Sequence, residues 1–442
     1  MIKYILYLYL AILSTDILAS QADTLSLNNI DPVIIDSILI SGNDITEEFI
    51  ILRELSFTEG DSVNSKSLEF NRERIYSLGI FNFVYFTVIN ENNFNKLLID
   101  VEEAWYIYPV PFLNIRENKL SRSSYGIALL WKNFRGRNEE VSAVISLGYD
   151  PSYFLSYYNP VLIQKYDISM NVDLAYTNFQ NKSVTAAKLY GGDFDYNTFV
   201  SMLVFGKRLN LFNTVYMAGA YRYFEAPFDS IKNITASGKL SEDYPVFGLG
   251  YTYDSRDLAQ FAKEGLYTSA KFYFKGFGVN DVNYNVFELD FREYRSISGN
   301  LSAKWRVAYR NSFGSTVPYY DYSVLGFDEY VRGHREDDRD GNGYILSSLE
   351  IAYPLLKEWD FSIKLPLIPK RLTSTRISIF LSAFGDTGTT FLNENKISIN
   401  DFYSGYGLGL TLLFLPYNAF RFEYAFDEYK NGEFILGTGF SF

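Results

Sequence analysis

The 442-residue chain contains no cysteine and only one histidine, His334. Without cysteine there are no disulfides, no thiolate metal site, no cysteine nucleophile and no lipid-modified N-terminal cysteine. One histidine excludes a multi-histidine metal centre. Neither a Gly-x-Ser-x-Gly elbow nor a phosphate-cradling glycine loop occurs. A Ser-His-Asp triad would have to draw on His334, which belongs to a loop motif treated below. No enzyme chemistry, cofactor or metal is expected. Positive charge is also short, 40 Lys and Arg against 52 Asp and Glu, and a net charge of -12 argues against nucleic acid as a partner. Long apolar runs are missing as well: nothing beyond the N-terminus approaches the about 20 residues that a spanning helix needs.

What the chain has in excess is aromatic side chains, 38 Tyr and 38 Phe, yet its mean hydropathy is only -0.07. That combination suits strands with one apolar and one polar face. The first residues, Met1-Ile2-Lys3, lead into an apolar run to Leu13 and then the small residues Ala19, Ser20 and Ala22. They read as a secretory signal peptide over residues 1–22. A membrane anchor is the alternative, and the run is short for one.

Two textures follow. Residues 31–103 read as a small α/β unit of order β-α-α-β-β. A strand over Val33 to Ile40 ends at Ser41-Gly42-Asn43. Thr46 is placed to cap a first helix, Ser65 to Leu78 form a second, and Phe81 to Ile89 and Lys96 to Glu103 are strands. Residues 104–442 alternate with period two. In Pro245 to Asp254, Phe247, Leu249, Tyr251 and Tyr253 share one face, and Gly248, Gly250 and Thr252 the other. In Gly405 to Phe414, Tyr406, Leu408, Leu410 and Leu412 oppose Gly407, Gly409 and Thr411. At the end of the chain, Phe434, Leu436, Phe440 and Phe442 oppose Gly437, Gly439 and Ser441. A soluble β-sandwich would alternate too, but would not need aromatic residues on this scale. The expected fold is mostly β: a transmembrane antiparallel β-barrel of about 16 strands, at about 10 residues per strand, with the α/β unit seated on its mouth. Lipid demands closure, because an open edge leaves backbone groups unpaired.

Strand parity then brings three charges together. In Tyr344 to Tyr353, Ile345, Leu349, Ile351 and Tyr353 face lipid, so Ser348 and Glu350 face inward. In Arg376 to Asp386, Ile377, Ile379 and Leu381 face lipid, so Ser378, Ser382 and Asp386 face inward. Val331-Arg332-Gly333-His334 lies in a polar loop which, folded inside, would deliver Arg332 to both acids. The planar guanidinium can bond two carboxylates, and Gly333 permits a tight turn. The alternative is three unrelated, solvated charges. Nearby, Asp338-Arg339-Asp340-Gly341-Asn342-Gly343 imitates the start of a calcium loop, but its twelfth position is Leu349 and no helices flank it. A solvated acidic loop is the better reading.

As a set, these motifs resemble the BamA-type superfamily of outer-membrane assembly and secretion proteins. Ile38-Leu39-Ile40-Ser41-Gly42-Asn43, Leu78-Gly79-Ile80-Phe81-Asn82-Phe83-Val84 and Leu98-Ile99-Asp100-Val101-Glu102-Glu103 resemble a single POTRA domain. Asn133-Phe134-Arg135-Gly136-Arg137-Asn138 resembles the family's first hairpin turn, and Tyr253-Asp254-Ser255-Arg256-Asp257 with Gly265 its mid-barrel hairpin. Val331 to His334 resembles the tip of the sixth extracellular loop. Ser348-Leu349-Glu350 and Phe384-Gly385-Asp386-Thr387-Gly388 resemble the strand motifs that hold that tip. The family usually has Phe or Tyr where His334 stands, and histidine can still stack there.

The resemblance implies an interior clamp of Arg332, Gly333 and His334 on Glu350, Asp386 and Gly388. It implies a lateral seam at the last strand, with Gly437 and Gly439, and a terminal signal in Phe440 and Phe442. It also implies an outer membrane of the Gram-negative type with the POTRA domain in the periplasm. The partners would be that bilayer, unfolded polypeptide clients, and periplasmic accessory proteins or chaperones. Clients would add as strands to a POTRA edge, Phe81 to Ile89 or Lys96 to Glu103. Three functions stay open: an insertion or assembly factor, a secretion pore for a dedicated partner, and a structural barrel that translocates nothing.

Overall fold

The computed structural model describes residues 32–92, 94–115, 123–326, 329–335 and 337–439. The expected signal peptide, Phe440 and Phe442 lie outside them. Sixteen strands, from Ile107–Ile115 to Gly432–Thr438, form one antiparallel sheet in which each pairs with its neighbours along the chain. This is the sheet of a transmembrane barrel, and the rest is one small α/β unit. A two-stranded insert, Ser323–Leu325 with Arg339–Gly341, sits in the long loop between Leu301–Gly314 and Gly343–Ser362.

Period-two alternation becomes two environments. Leu349, Ile351 and Tyr353 are exposed on the outer face of Gly343–Ser362, while Ser348 and Glu350 are buried on the inner one. On Tyr403–Leu415, Tyr406 and Leu408 project outward. Large apolar groups meet lipid and polar ones turn inward, the only arrangement in which strands cross hydrocarbon without exposing backbone. Among the described residues no helix is long and apolar enough to cross a membrane.

In the α/β unit, Ser37–Ser41 runs parallel to Phe94–Glu103, which runs antiparallel to Phe81–Glu91. This corrects one expectation. Lys96 to Glu103 is the central strand, bonded on both sides, so it offers no edge. Its alternating Leu97, Ile99 and Val101 are wholly buried beneath the helices, as a central strand requires. Phe81–Glu91 is an edge of this sheet. Helix Ser65–Tyr76 is capped by Asn64. Thr46 does not cap the first helix, Glu48–Leu52, whose N-cap is Glu47. Both its hydroxyl and its N–H donate to Glu103 at 2.7 Å, because a fully buried carboxylate claims nearby donors.

Helix Ser65–Tyr76 lies across the near mouth of the barrel. Glu73 accepts hydrogen bonds from Arg376 at 2.9 and 3.1 Å, and the Arg376 guanidinium lies 4.0 Å over the Tyr76 ring. Arg72 bridges Glu73 and Glu358. Phe261 stacks on Phe380 at 4.2 Å, and the core of the α/β unit continues into Leu413, Leu415 and Ala419 of the barrel. At Gly136, in the first hairpin turn, a side chain would meet the Ile45 carbonyl at 2.0 Å. The start of the edge strand is covered as well: Tyr85 donates to Asp360 and Asn82 to the Arg371 carbonyl, leaving Thr87 to Glu91 as its open part.

Burial alone would push the Glu73 carboxyl up, but Arg376 and then Arg72 outweigh it and hold the group well below the ordinary glutamate range. Its contribution to docking is therefore complete above that range and lost as pH falls through the depressed native value. Limited proteolysis in detergent should find the α/β unit protected at neutral pH and released only in strong acid. Glu73→Ala, which strands Arg376 without its partner at a cost of about 3–5 kcal/mol, should be cleaved at neutral pH. Equal protection of variant and parent would show that the pair does not hold the two parts together.

Candidate functional site in the barrel interior

The described parts of the loop between Gly314 and Gly343 fold back into the barrel and are tied there by charge at three places. Asp321 pairs with Lys275 and, at 2.7 Å, with Arg310. Glu329 takes two bonds from Arg306, at 2.7 and 2.8 Å, and Arg306 is also held by Asp290. Arg332 is the deepest. Its Nε and Nη2 donate to the two oxygens of Asp386 at 2.7 and 2.8 Å, and its backbone N–H reaches the same carboxylate at 3.2 Å. Nη1 donates to Glu423 at 2.9 Å and Glu350 at 3.2 Å. The Phe384 ring lies 3.6 Å beneath the guanidinium, and Lys304 holds the other oxygen of Glu350 at 3.2 Å. Arg332 and its three carboxylates are each 5% exposed or less, and Lys304 is 6% exposed. Charges this deep are tolerable only where each meets an opposite partner.

Backbone shape makes the approach possible. Gly333 sits at φ +97°, where a Cβ would stand 2.8 Å from the Phe426 carbonyl. A Cβ at Gly388 would stand 3.0 Å from the Val331 side chain. Two residues that the sequence reading passed over also belong here. Gly405 lies directly under the Arg332 carbonyl, 1.7 Å from where a Cβ would be. Glu423 is the third carboxylate, and it carried a usable signal: in Phe420-Arg421-Phe422-Glu423-Tyr424 the two charges alternate with three aromatic residues and so must face inward.

His334 packs edge-on against Tyr403, ring centres 4.9 Å apart, keeping the stacking place of an aromatic residue. It adds two polar contacts. Nδ1 lies 2.8 Å from Asp337 and Nε2 2.6 Å from Glu428, in the turn that joins the last two strands. Burial pulls its pKa down, but the bonds to Asp337 and Glu428 outweigh this and raise it above the ordinary histidine value.

The imitation calcium loop is otherwise engaged. Asp340 accepts from Ser183 and Thr185 at the start of the loop helix Val184–Tyr190, and Asn342 accepts from the Asn393 N–H. Among the described residues no group of three or more acidic or histidine side chains is arranged to hold a metal ion.

At the last strand, Gly437 makes room for Arg421, whose guanidinium lies 3.0 Å from the position a Cβ would take, and Gly439 adopts φ +90° just beyond the ladder. Among the described residues no hydrogen-bonded ladder joins Gly432–Thr438 to the first strand, Ile107–Ile115.

A sixteen-stranded barrel sheet, one POTRA-like unit at its mouth and an inward loop held by an arginine define a class of outer-membrane barrel protein. Residues 133–442 match the family model for the Omp85 superfamily domain, and residues 33–104 match the POTRA model, described as a surface antigen variable number repeat. The chain belongs to the Omp85 superfamily. Among solved structures it is similar to BamA from Haemophilus ducreyi lacking POTRA domains 1–3 (17% identity, 92% of this chain and 84% of that one, TM-score 0.52). It is also similar to CdiB from Acinetobacter baumannii (16% identity, 92% and 73%, TM-score 0.51) and CdiB from Escherichia coli (10% identity, 92% and 75%, TM-score 0.55). No curated protein matches the sequence.

Arg332→Ala removes the cation that Asp386, Glu350 and Glu423 share and should cost about 3–5 kcal/mol of folded-state stability. The variant barrel should lose its heat-modifiable migration at a clearly lower temperature than the parent; coincident transitions would mean that the arginine contributes nothing. His334 gives the opposite pH dependence to Glu73. Its anchoring is complete below the ordinary histidine value and fades as pH rises through the raised native one. Protease cleavage within the loop should therefore increase as pH rises, and His334→Phe should abolish that dependence while keeping the stacking.

Proposed function

We propose that the protein is an outer-membrane assembly factor that inserts unfolded polypeptides, with its POTRA domain in the periplasm. The observation that carries this reading is the pair of outermost strands, Ile107–Ile115 and Gly432–Thr438, with no ladder between them among the described residues. In hydrocarbon, such edges are costly until a strand satisfies them, and a client strand can do so. The last strand presents Phe434 and Leu436 to lipid, and strand addition at its free edge is selected by backbone rather than side chain. Thr87 to Glu91, the open part of the POTRA edge, offers the same mode of capture on the periplasmic side. Periplasmic accessory proteins or chaperones would deliver the client. The reaction is non-enzymatic: backbone pairing and lipid burial drive it.

Secretion of a dedicated partner through the lumen is the second reading, and similarity to CdiB favours it. That route requires helix Ser65–Tyr76 to leave the mouth and break the buried Glu73–Arg376 pair, whereas lateral insertion leaves both in place. Depleting the protein in its native host and quantifying outer-membrane and medium proteins separates the two. Loss of one or more barrel proteins from the membrane supports insertion. Loss of one large protein from the medium, with the membrane unchanged, overturns it in favour of secretion.

A further inference from the structure

A cavity of about 270 Å³ lies where the α/β unit meets the barrel, away from the loop clamp. Three arginines line it: Arg53 and Arg74 from the α/β unit and Arg208 from the end of barrel strand Asp195–Arg208. Each is largely buried, with 12–16% of its side chain exposed. Against them stands one buried carboxylate, Glu54, bonded to Arg208 at 2.8 and 3.1 Å and to Arg74 at 3.0 Å. The half-exposed Asp167 lies 3.5 Å from Arg53. Asp254 also lines the cavity, but it is already held in a two-pronged pair by Arg256. Three positive groups thus share two negative ones, and the Nε–H groups of Arg53 and Arg74 are buried without an acceptor among the described residues.

Uncompensated buried charge and unmade hydrogen bonds are both costly, and an anion entering the cavity relieves both. Burial and, next, the charge of Arg208 depress the Arg53 pKa, as expected of a cation crowded by another. Tyr158, Thr214 and Tyr216 add hydroxyl donors to the wall. These side chains face the lumen: Leu155, Leu203 and Met217, of opposite parity on the same strands, are exposed on the outer face. A ligand therefore arrives through the water of the lumen and not from the bilayer.

We propose that this cavity is a binding site for a single oxyanion, a carboxylate or a phosphate, gripped by the guanidinium groups of Arg53, Arg74 and Arg208, with Glu54 as the internal carboxylate it competes against. Planar guanidinium forks match both anions. Two sources share that chemistry: a free phosphate-type ion, and the C-terminal carboxylate of a polypeptide. The site stands whether the protein inserts clients or secretes them.

The test uses the full chain in detergent micelles. Inorganic phosphate is titrated by calorimetry, and a fluorescent pentapeptide ending in phenylalanine, with free or amidated C-terminus, is titrated by anisotropy. We expect saturable binding of phosphate, of the free-acid peptide, or of both, and binding of the amidated peptide at least about tenfold weaker than of the free acid. Phosphate binding assigns the site to free anions, and binding of the acid peptide alone assigns it to chain termini. Arg208→Gln should weaken binding by about tenfold. Glu54→Gln should tighten it several-fold, because it removes the internal competitor. This second variant separates ligand binding from a purely structural role, which either substitution would only damage. Failure of every probe to saturate both the parent and Glu54→Gln, or equal binding of acid and amide peptides with none of phosphate, overturns the proposal.

Discussion

The rest of the structure depends on one constraint: inside hydrocarbon, every backbone N–H and C=O must find a partner within the protein. Sixteen strands meet it by pairing with their neighbours, except along the two outermost edges, and period-two geometry then divides every strand between lipid and lumen. The inner face collects the charges that the outer face rejects. Those charges are too deep to remain single, so they are matched across strands and onto a loop of the opposite sign. The clamp around Arg332 follows from the barrel in this sense. A loop that enters such an interior has to carry the complementary charge at each depth, and Asp321, Glu329 and Arg332 do so in order.

The same reasoning connects the two domains. The near mouth of the barrel is a ring of turns, and the α/β unit that covers it brings Glu73 to Arg376 and Glu54 to Arg208. The apolar core crosses the junction without a break, from Leu68 and Ile75 to Leu413 and Ala419. The small unit therefore shares its packing with the barrel and is more than a tethered appendage.

What was legible in the sequence is what periodicity controls. The inward direction of Glu350 and Asp386 followed from counting alternate residues, and Glu423 was within reach of the same count. The hairpin turn at Asn133 to Asn138 was legible only through its resemblance to a family motif. What was not legible depends on separation along the chain. Glu73 and Arg376 are 303 positions apart, and nothing near either announces the other. The central place of Phe94–Glu103 was hidden because strand order in a small sheet is a matter of topology, not of local pattern. Thr46 misled for a related reason: its local context says helix cap, but a buried carboxylate 57 positions later holds its hydroxyl.

The spacing of Arg332 from its partners also has a consequence in time. Asp386 lies 54 residues and Glu423 91 residues from it, the latter on the penultimate strand. Contacts so distant form late, because long chain segments must be ordered before they can be rewarded. The loop cannot settle until Asn418–Asp427 has taken its place, which is after nearly all of the barrel has paired. Until then Arg332 has at most Glu350 and Asp386 as partners, and the third carboxylate of its cage is missing. The clamp therefore marks the end of the protein's own assembly: a barrel missing its last hairpin lacks both Glu423 and the Glu428 contact to His334, and so remains unlatched.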